Sequence, residues 1–203
     1  MKLGILLSGR GSNFVAIADA IADGSLPGCS IAVVLSNLTD AGGLAIARER
    51  GMKAMAISGK GIPREEHEAK MIAALMEHEV DLVCLAGYMR ILTPVFIRAF
   101  PNRILNIHPS LLPSFPGTHA QQQAFEYGAK IAGCTVHFVD EEVDHGVIVL
   151  QRSVTVEDTD TAETLAERIL HEEHAAYPEA LRRVLSGGYT VAGRRYVTRA
   201  NPS

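Results

Sequence analysis

Two short segments carry side chains whose types and spacing suit acid–base work on a carbonyl group. Asn106-Ile107-His108-Pro109 closes an apolar run. Residues two apart on a strand share a face, so Asn106 and His108 point the same way while Ile107 turns into the opposite layer. An asparagine amide donates to an oxygen that is gaining charge, and a histidine carries a proton or donates as a cation. The pair suits carbonyl chemistry without a metal; it equally suits a polar strand end bonded to loop backbone. Downstream, Asp140-Glu141-Glu142-Val143-Asp144-His145-Gly146 puts four carboxylates within five residues. Such a run is ordinarily a solvated turn. If the loop folds over the same strand end, Asp144 is the carboxylate expected to meet His108, where a negative charge within about 4–6 Å favours the imidazolium.

Three further segments offer binding chemistry. Gly9-Arg10-Gly11-Ser12-Asn13 follows the first apolar run and opens a helix. Glycines let backbone N–H groups approach an anion, and a helix N-terminus adds partial positive charge. The alternative is a tight turn capped by Ser12 or Asn13. Phe14 stands where a dinucleotide fingerprint wants its third glycine, and the Gly-Lys-Ser/Thr ending of a nucleoside-triphosphate loop is missing, so ATP chemistry is not expected. Met89-Arg90-Ile91-Leu92 follows Gly87 after another apolar run. An apolar loop there suits a flat heterocycle held by backbone groups, or simply caps the core. Glu173 falls in line with Leu165, Ile169, Ala176 and Ala180 on one helical stripe. A carboxylate on an apolar face needs partners or a wet pocket, unless the stripe merely drifts at the helix end. No metal is expected: His171 and His174 are three apart, not the four of a zinc-protease helix, and no Gly-x-Ser-x-Gly elbow occurs.

The elements that must position these residues alternate. Apolar runs at Leu3–Leu7, Ile31–Leu35, Ala54–Ile57, Leu82–Ala86 and Ile104–Ile107 are separated by segments of helical period near 13–23, 41–50 and 63–78, the last with Pro63 at its first position. Continuous apolar runs separated by helices predict a doubly wound, mostly parallel α/β sheet with helices on both faces. Ligands of such sheets sit outside the carboxyl ends of the strands. Beyond residue 110 the pattern changes. Pro109, Pro113 and Pro116 stiffen a loop over 109–117, and a helix is expected over 119–127. Strands over 134–139 and 147–156 predict an antiparallel pair, followed by a long helix near 161–185 and a hairpin over 189–197 around Gly193. One domain over 1–203 is expected, with halves 1–110 and 111–203.

The 203 residues are 47% hydrophobic and 21% charged, enough for one substantial core. Nineteen Lys and Arg against 23 Asp and Glu leave a net charge of −4, which argues against broad nucleic-acid binding, as does the absence of Trp. No 18-residue apolar run or cleavable leader is read, and Cys29, Cys84 and Cys134 form no CxxC. A cytoplasmic protein acting on small molecules is expected, away from nucleic acid and membrane.

Taken together, Ser8-Gly9-Arg10-Gly11-Ser12-Asn13, Ala86-Gly87-Tyr88-Met89-Arg90-Ile91-Leu92, Asn106-Ile107-His108-Pro109-Ser110-Leu111-Leu112-Pro113, and Val136-His137-Phe138-Val139 with Asp144 resemble one family, the phosphoribosylglycinamide formyltransferases. The Asn-x-His-Pro-Ser-Leu-Leu-Pro segment is shared by folate-dependent formyl transferases in general. The resemblance implies formyl transfer from 10-formyltetrahydrofolate to the amine of phosphoribosylglycinamide, in purine biosynthesis. It implies Asn106, His108 and Asp144 as catalytic residues. Gly11, Ser12 and Asn13 would hold the ribonucleotide phosphate and Glu173 its ribose. Arg64, Met89, Arg90, Ile91, Leu92 and Asn106, with Asp140, Glu141, Glu142, Val143 and Asp144, would hold the folate. Neither metal nor ATP is implied, and the chain would act as a monomer or homodimer. Arg10 and His145 depart from the family pattern. The rivals are formyltetrahydrofolate deformylase, methionyl-tRNA formyltransferase and a non-catalytic folate or sugar-phosphate binder. The length of 203 residues predicts neither enzyme's additional domain.

Overall fold

A computed structural model describes residues 1–199, which divide into two compact units, Met1–Asn106 and a second beginning at Ile107. The first unit carries β1 (Lys2–Leu7), α1 (Ser12–Ala22), β2 (Ser30–Ser36), α2 (Gly42–Glu49), β3 (Ala54–Ala56), α3 (Arg64–Glu77), β4 (Leu82–Leu85), α4 (Pro94–Ala99) and the start of β5 (Ile104–His108). Its strands run in the order β3-β2-β1-β4-β5, every pair parallel. Leu3, Ile5, Leu6, Leu7, Val33, Val34, Leu35, Val83 and Cys84 are fully buried. Consecutive residues on both faces are thus inside, the arrangement that uninterrupted apolar runs demand. The expected elements recur within a residue or two, with one adjustment. Pro63 is the N-cap of α3 in extended conformation, not its first helical residue.

α4 was not expected. Six residues make too few turns for a hydrophobic period to show, yet its start is signalled. Thr93 caps it through its side-chain oxygen and Pro94 occupies the first turn, where a missing N–H does no harm.

The second unit takes the end of β5, then α5 (Ala120–Tyr127), β6 (Ile131–Phe138), β7 (Ile148–Thr155), α6 (Ala162–Leu185), β8 (Tyr189–Ala192) and β9 (Arg195–Thr198). β6 and β7 pair antiparallel, β9 joins β7 in parallel, and β8 and β9 form the terminal hairpin. α6 starts with a reciprocal Thr161–Thr164 capping box and packs on β6, β7 and α5. Its buried stripe runs through Leu165, Ile169, Glu173, Ala176 and Ala180, so the carboxylate does lie on the apolar face. No helix of the described residues is long and apolar enough to cross a membrane.

Candidate active site

In the second unit the strand end meets the acidic loop. His108, the last residue of β5, is only 4% exposed. Its Nδ1 lies 3.4 Å from Asp144 Oδ2, and its Nε2 lies 2.9 Å from the Phe115 carbonyl oxygen. Carbonyl and carboxylate oxygens only accept, so both ring nitrogens face acceptors. Asp144 Oδ2 also accepts from Gly117 N at 2.7 Å, and Oδ1 lies 3.8 Å from His137 Nε2. Burial pushes the His137 imidazole below its ordinary value, against the opposing pull of its bond to the Phe138 carbonyl and of the Asp144 charge. Asp144 is therefore the member of the acidic run that reaches His108. Asp140 instead accepts from His145 Nδ1 at 2.9 Å and from Glu142 N at 3.1 Å, while Glu141, Glu142 and Val143 are exposed.

The loop over 109–117 supplies both backbone partners of this pair. Thr135 Oγ1 donates to Ser110 O at 2.7 Å and accepts from Leu112 N at 3.0 Å, and Gln151 Nε2 donates to Leu112 O at 2.8 Å. Ser110 Oγ donates to Ser114 O at 2.5 Å. The stiffness read from three prolines is thus reinforced by side chains of β6 and β7. Asn106 precedes His108 by two positions on β5 and shares its face.

In the first unit, Gly11 caps α1 in the left-handed conformation at φ 77°, without a side-chain cap bond. The N-cap residue is thus Gly11, not Ser12 or Asn13. A Cβ on Gly11 would come within 3.0 Å of Gly43 Cα, so this glycine serves a close approach as well as a turn. Arg10 is exposed.

The segment after β4 is held from beneath. Ser8 Oγ accepts from Met89 N at 2.9 Å and donates to Asn37 Oδ1 at 2.6 Å. The buried Glu68 carboxylate accepts from Thr93 N at 3.0 Å and from the Thr93 hydroxyl. Between these anchors Met89 is 77% and Ile91 59% exposed, whereas Tyr88 and Leu92 are buried. Burial pushes the Tyr88 hydroxyl up to about 12, opposed by the charges of Arg90 and Arg64. An exposed apolar shelf of this kind fits a flat heterocycle. Among the described residues no group of three His, Cys, Asp or Glu is arranged to hold a metal.

A family model described as formyl transferase matches residues 1–181. The chain belongs to the formyl transferase family. It is 40% identical to the phosphoribosylglycinamide formyltransferase of Escherichia coli (strain K12), a match that spans 88% of this chain and 84% of that protein. It is 46% identical over 92% of its length to the trifunctional purine biosynthetic protein adenosine-3 of Chironomus tentans, and spans 14% of the length of that relative. Among solved structures, glycinamide ribonucleotide transformylase 1 from Symbiobacterium toebii superposes with a TM-score of 0.95 at 49% identity, covering 98% of this chain and 94% of that one. A formyltetrahydrofolate deformylase from Pseudomonas syringae has the same fold, with a TM-score of 0.91 but 27% identity, covering 66% of that chain.

Several groups that shape this candidate site carry little or no signal in the sequence. Phe115 O and Gly117 N are backbone atoms and have no side-chain signature. Thr135 and Ser8 are small hydroxyls of a type scattered through the chain. Glu68 did carry a signal, because Glu68, Met71 and Leu75 follow the same i, i+3, i+7 count that singles out Glu173.

Proposed function

We propose that this formyl transferase moves the formyl group of 10-formyltetrahydrofolate onto the amine of phosphoribosylglycinamide, the step that yields formylglycinamide ribonucleotide in purine biosynthesis. The observation that carries the reading is the buried His108, both of whose ring nitrogens face oxygen acceptors 3.4 and 2.9 Å away. That arrangement occurs in a chain 40% identical to a phosphoribosylglycinamide formyltransferase along most of both sequences. The two units act as one formyltransferase domain in the cytoplasm, a reading supported by the family match, which runs unbroken through residue 106. The partners are small molecules, and neither metal nor ATP takes part.

When bound, the folate supplies an electrophilic formyl carbon on a nitrogen that can leave. The chain's residues do the rest. Asn106 donates its amide to the formyl oxygen as negative charge builds there, and His108 Nε2 exchanges its contact with the Phe115 carbonyl for that oxygen. Asp144 orients the imidazole and offsets positive charge on it. The attacking amine sheds a proton and the departing nitrogen needs one, and the His108–Asp144 pair is the group able to move it. Gly11, Ser12 and Asn13 hold the phosphate with the amides that open α1. Glu173 holds the ribose. Arg64, Met89, Arg90, Ile91, Leu92 and the loop over 140–144 hold the folate.

The test is a rate matrix with both substrates. The amine substrate should accelerate folate turnover well above the rate with water alone, without metal or nucleotide. If the rate is the same with and without the amine, the deformylase chemistry of the 27% identical neighbour is the better assignment. Loss of activity on chelation would also overturn the proposal.

A further inference from the structure

The β8–β9 hairpin lies beyond residue 181, where the family match ends, and it touches the Asp144 loop at its start, middle and end. At the start, Phe138 closes β6 and stacks on Tyr189 with ring centroids 6.2 Å apart, and Tyr189 stacks in turn on Tyr196 at 4.5 Å. At the end, Ile148 opens β7 and pairs with Arg195 of β9. In the middle, Arg194 in the hairpin turn hydrogen-bonds to the His145 ring at Nε2 and to the His145 carbonyl oxygen. His145 Nδ1 lies 2.9 Å from Asp140 Oδ2. The Asp140 carboxylate only accepts, so Nδ1 carries the proton and Nε2 is left to accept from Arg194. A chain of polar contacts thus runs Asp140–His145–Arg194 across the loop. Asp144, His145 and Arg194 wall one cleft.

We propose that the C-terminal hairpin is a brace for the loop over 140–146, and that Arg194 is a positioning residue that keeps Asp144 against His108. The inference rests on Asp144 forming part of the acid–base pair. His145 follows Asp144 directly, so a grip on its ring and carbonyl oxygen fixes the peptide that leaves Asp144. Asp144 itself has φ 52°, a conformation that a non-glycine residue keeps only when its surroundings hold it there. Arg194 is exposed, so its removal leaves the core intact. Its effect falls on geometry, where a displacement of about 1 Å can cost up to 10²-fold in rate.

Two measurements on the full chain decide the matter. Amide hydrogen exchange over 140–146 should quicken by about 10-fold in Arg194→Ala and stay unchanged in α6 and β1. In the same variant kcat should fall by about 10-fold, with both KM values within about 2-fold. His145→Ala removes the ring contact but leaves the carbonyl oxygen to Arg194, so it should give part of the fall, and the two losses should be less than additive because the ring contact is shared. Unchanged exchange, unchanged kcat or additive losses would each overturn the brace. If the wild-type protein transfers no formyl group, the functional reading fails, and the exchange measurement still decides whether the hairpin holds the loop.

Discussion

Arg90 sits in a socket that has no room for one more carbon atom. A Cβ on Gly59 would lie 1.8 Å from Arg90 Nη1 and 3.2 Å from His67 Cδ2. Gly59 is not in the left-handed region, so alanine adds a methyl group and no backbone strain. To regain ordinary contact the guanidinium must retreat by roughly 1.5 Å. The buried His67 makes that movement matter. Its Nε2 donates to the Ile57 carbonyl at 2.7 Å, which leaves Nδ1 to accept from Arg90 Nη1 at 3.4 Å. Gly59→Ala breaks this contact and re-aims the remaining N–H groups that Arg90 offers to an acidic co-substrate. A hydrogen bond to a charged group is worth about 1.5–3 kcal/mol. Arg90 is half-buried, so the lower end applies, close to the 1.4 kcal/mol that changes an equilibrium tenfold.

The expected outcome of Gly59→Ala is therefore a rise of about 10-fold in the folate KM, with kcat and the ribonucleotide KM within about 2-fold. Initial rates over a matrix of both substrates read this out. In an Arg90→Ala background the same substitution should change the folate KM by less than about 2-fold, because its target is gone. An equal effect in both backgrounds, or a loss confined to kcat, would refute the reasoning.

Asp144→Asn keeps a side chain that tolerates the left-handed backbone and an oxygen for Gly117 N, so kcat should drop by about 10²–10³ with little change in melting temperature. Asp144→Ala should lose as much activity and in addition melt earlier; equal melting of the two variants would discount the strain at this residue. Glu173→Gln should weaken ribonucleotide binding in calorimetry and spare the folate, and equal loss of both ligands would remove Glu173 from the ribose site. Because burial holds the His137 imidazole below its ordinary value, the unfolded chain takes up that proton before the folded one does. Stability from this source is complete above about pH 6.5 and is lost as the pH falls towards the folded value. Thermal melts between about pH 7 and 5.5 should show the decline, and His137→Asn should flatten it.

The parallel half was legible because burial on both faces writes itself into sequence as unbroken apolar runs. Leu3–Leu7 and Leu82–Ala86 are such runs. Glu173 was legible for the opposite reason, as a charge on an otherwise apolar stripe. Asp144 is picked out of four carboxylates by its place before His145-Gly146, and it is the one that reaches His108. Its left-handed backbone and the bond from Gly117 N that hold it there are not encoded in sequence pattern. His67 was hidden because its role depends on two loops, through Ile57 O and Arg90, that close on α3 only in three dimensions.

The partners of His108 show why this site needs support from remote residues. One is a carbonyl of the loop over 109–117, and the other is a carboxylate on a residue with φ 52°, a left-handed conformation that aspartate and asparagine adopt more readily than other non-glycine residues. Glycine would hold the same backbone but remove the charge. The aspartate is held in place by bonds from Gly117 N to its own oxygen and from Arg194 to the next residue. Phe115 O, similarly, stays beneath His108 because Thr135 and Gln151 tie the same loop to the sheet at Ser110 and Leu112. Thr135 and Gln151 have no assigned contact with substrate, yet they set where the proton acceptors of His108 stand. Substitutions at these positions should therefore appear first in kcat, and only secondarily in either KM.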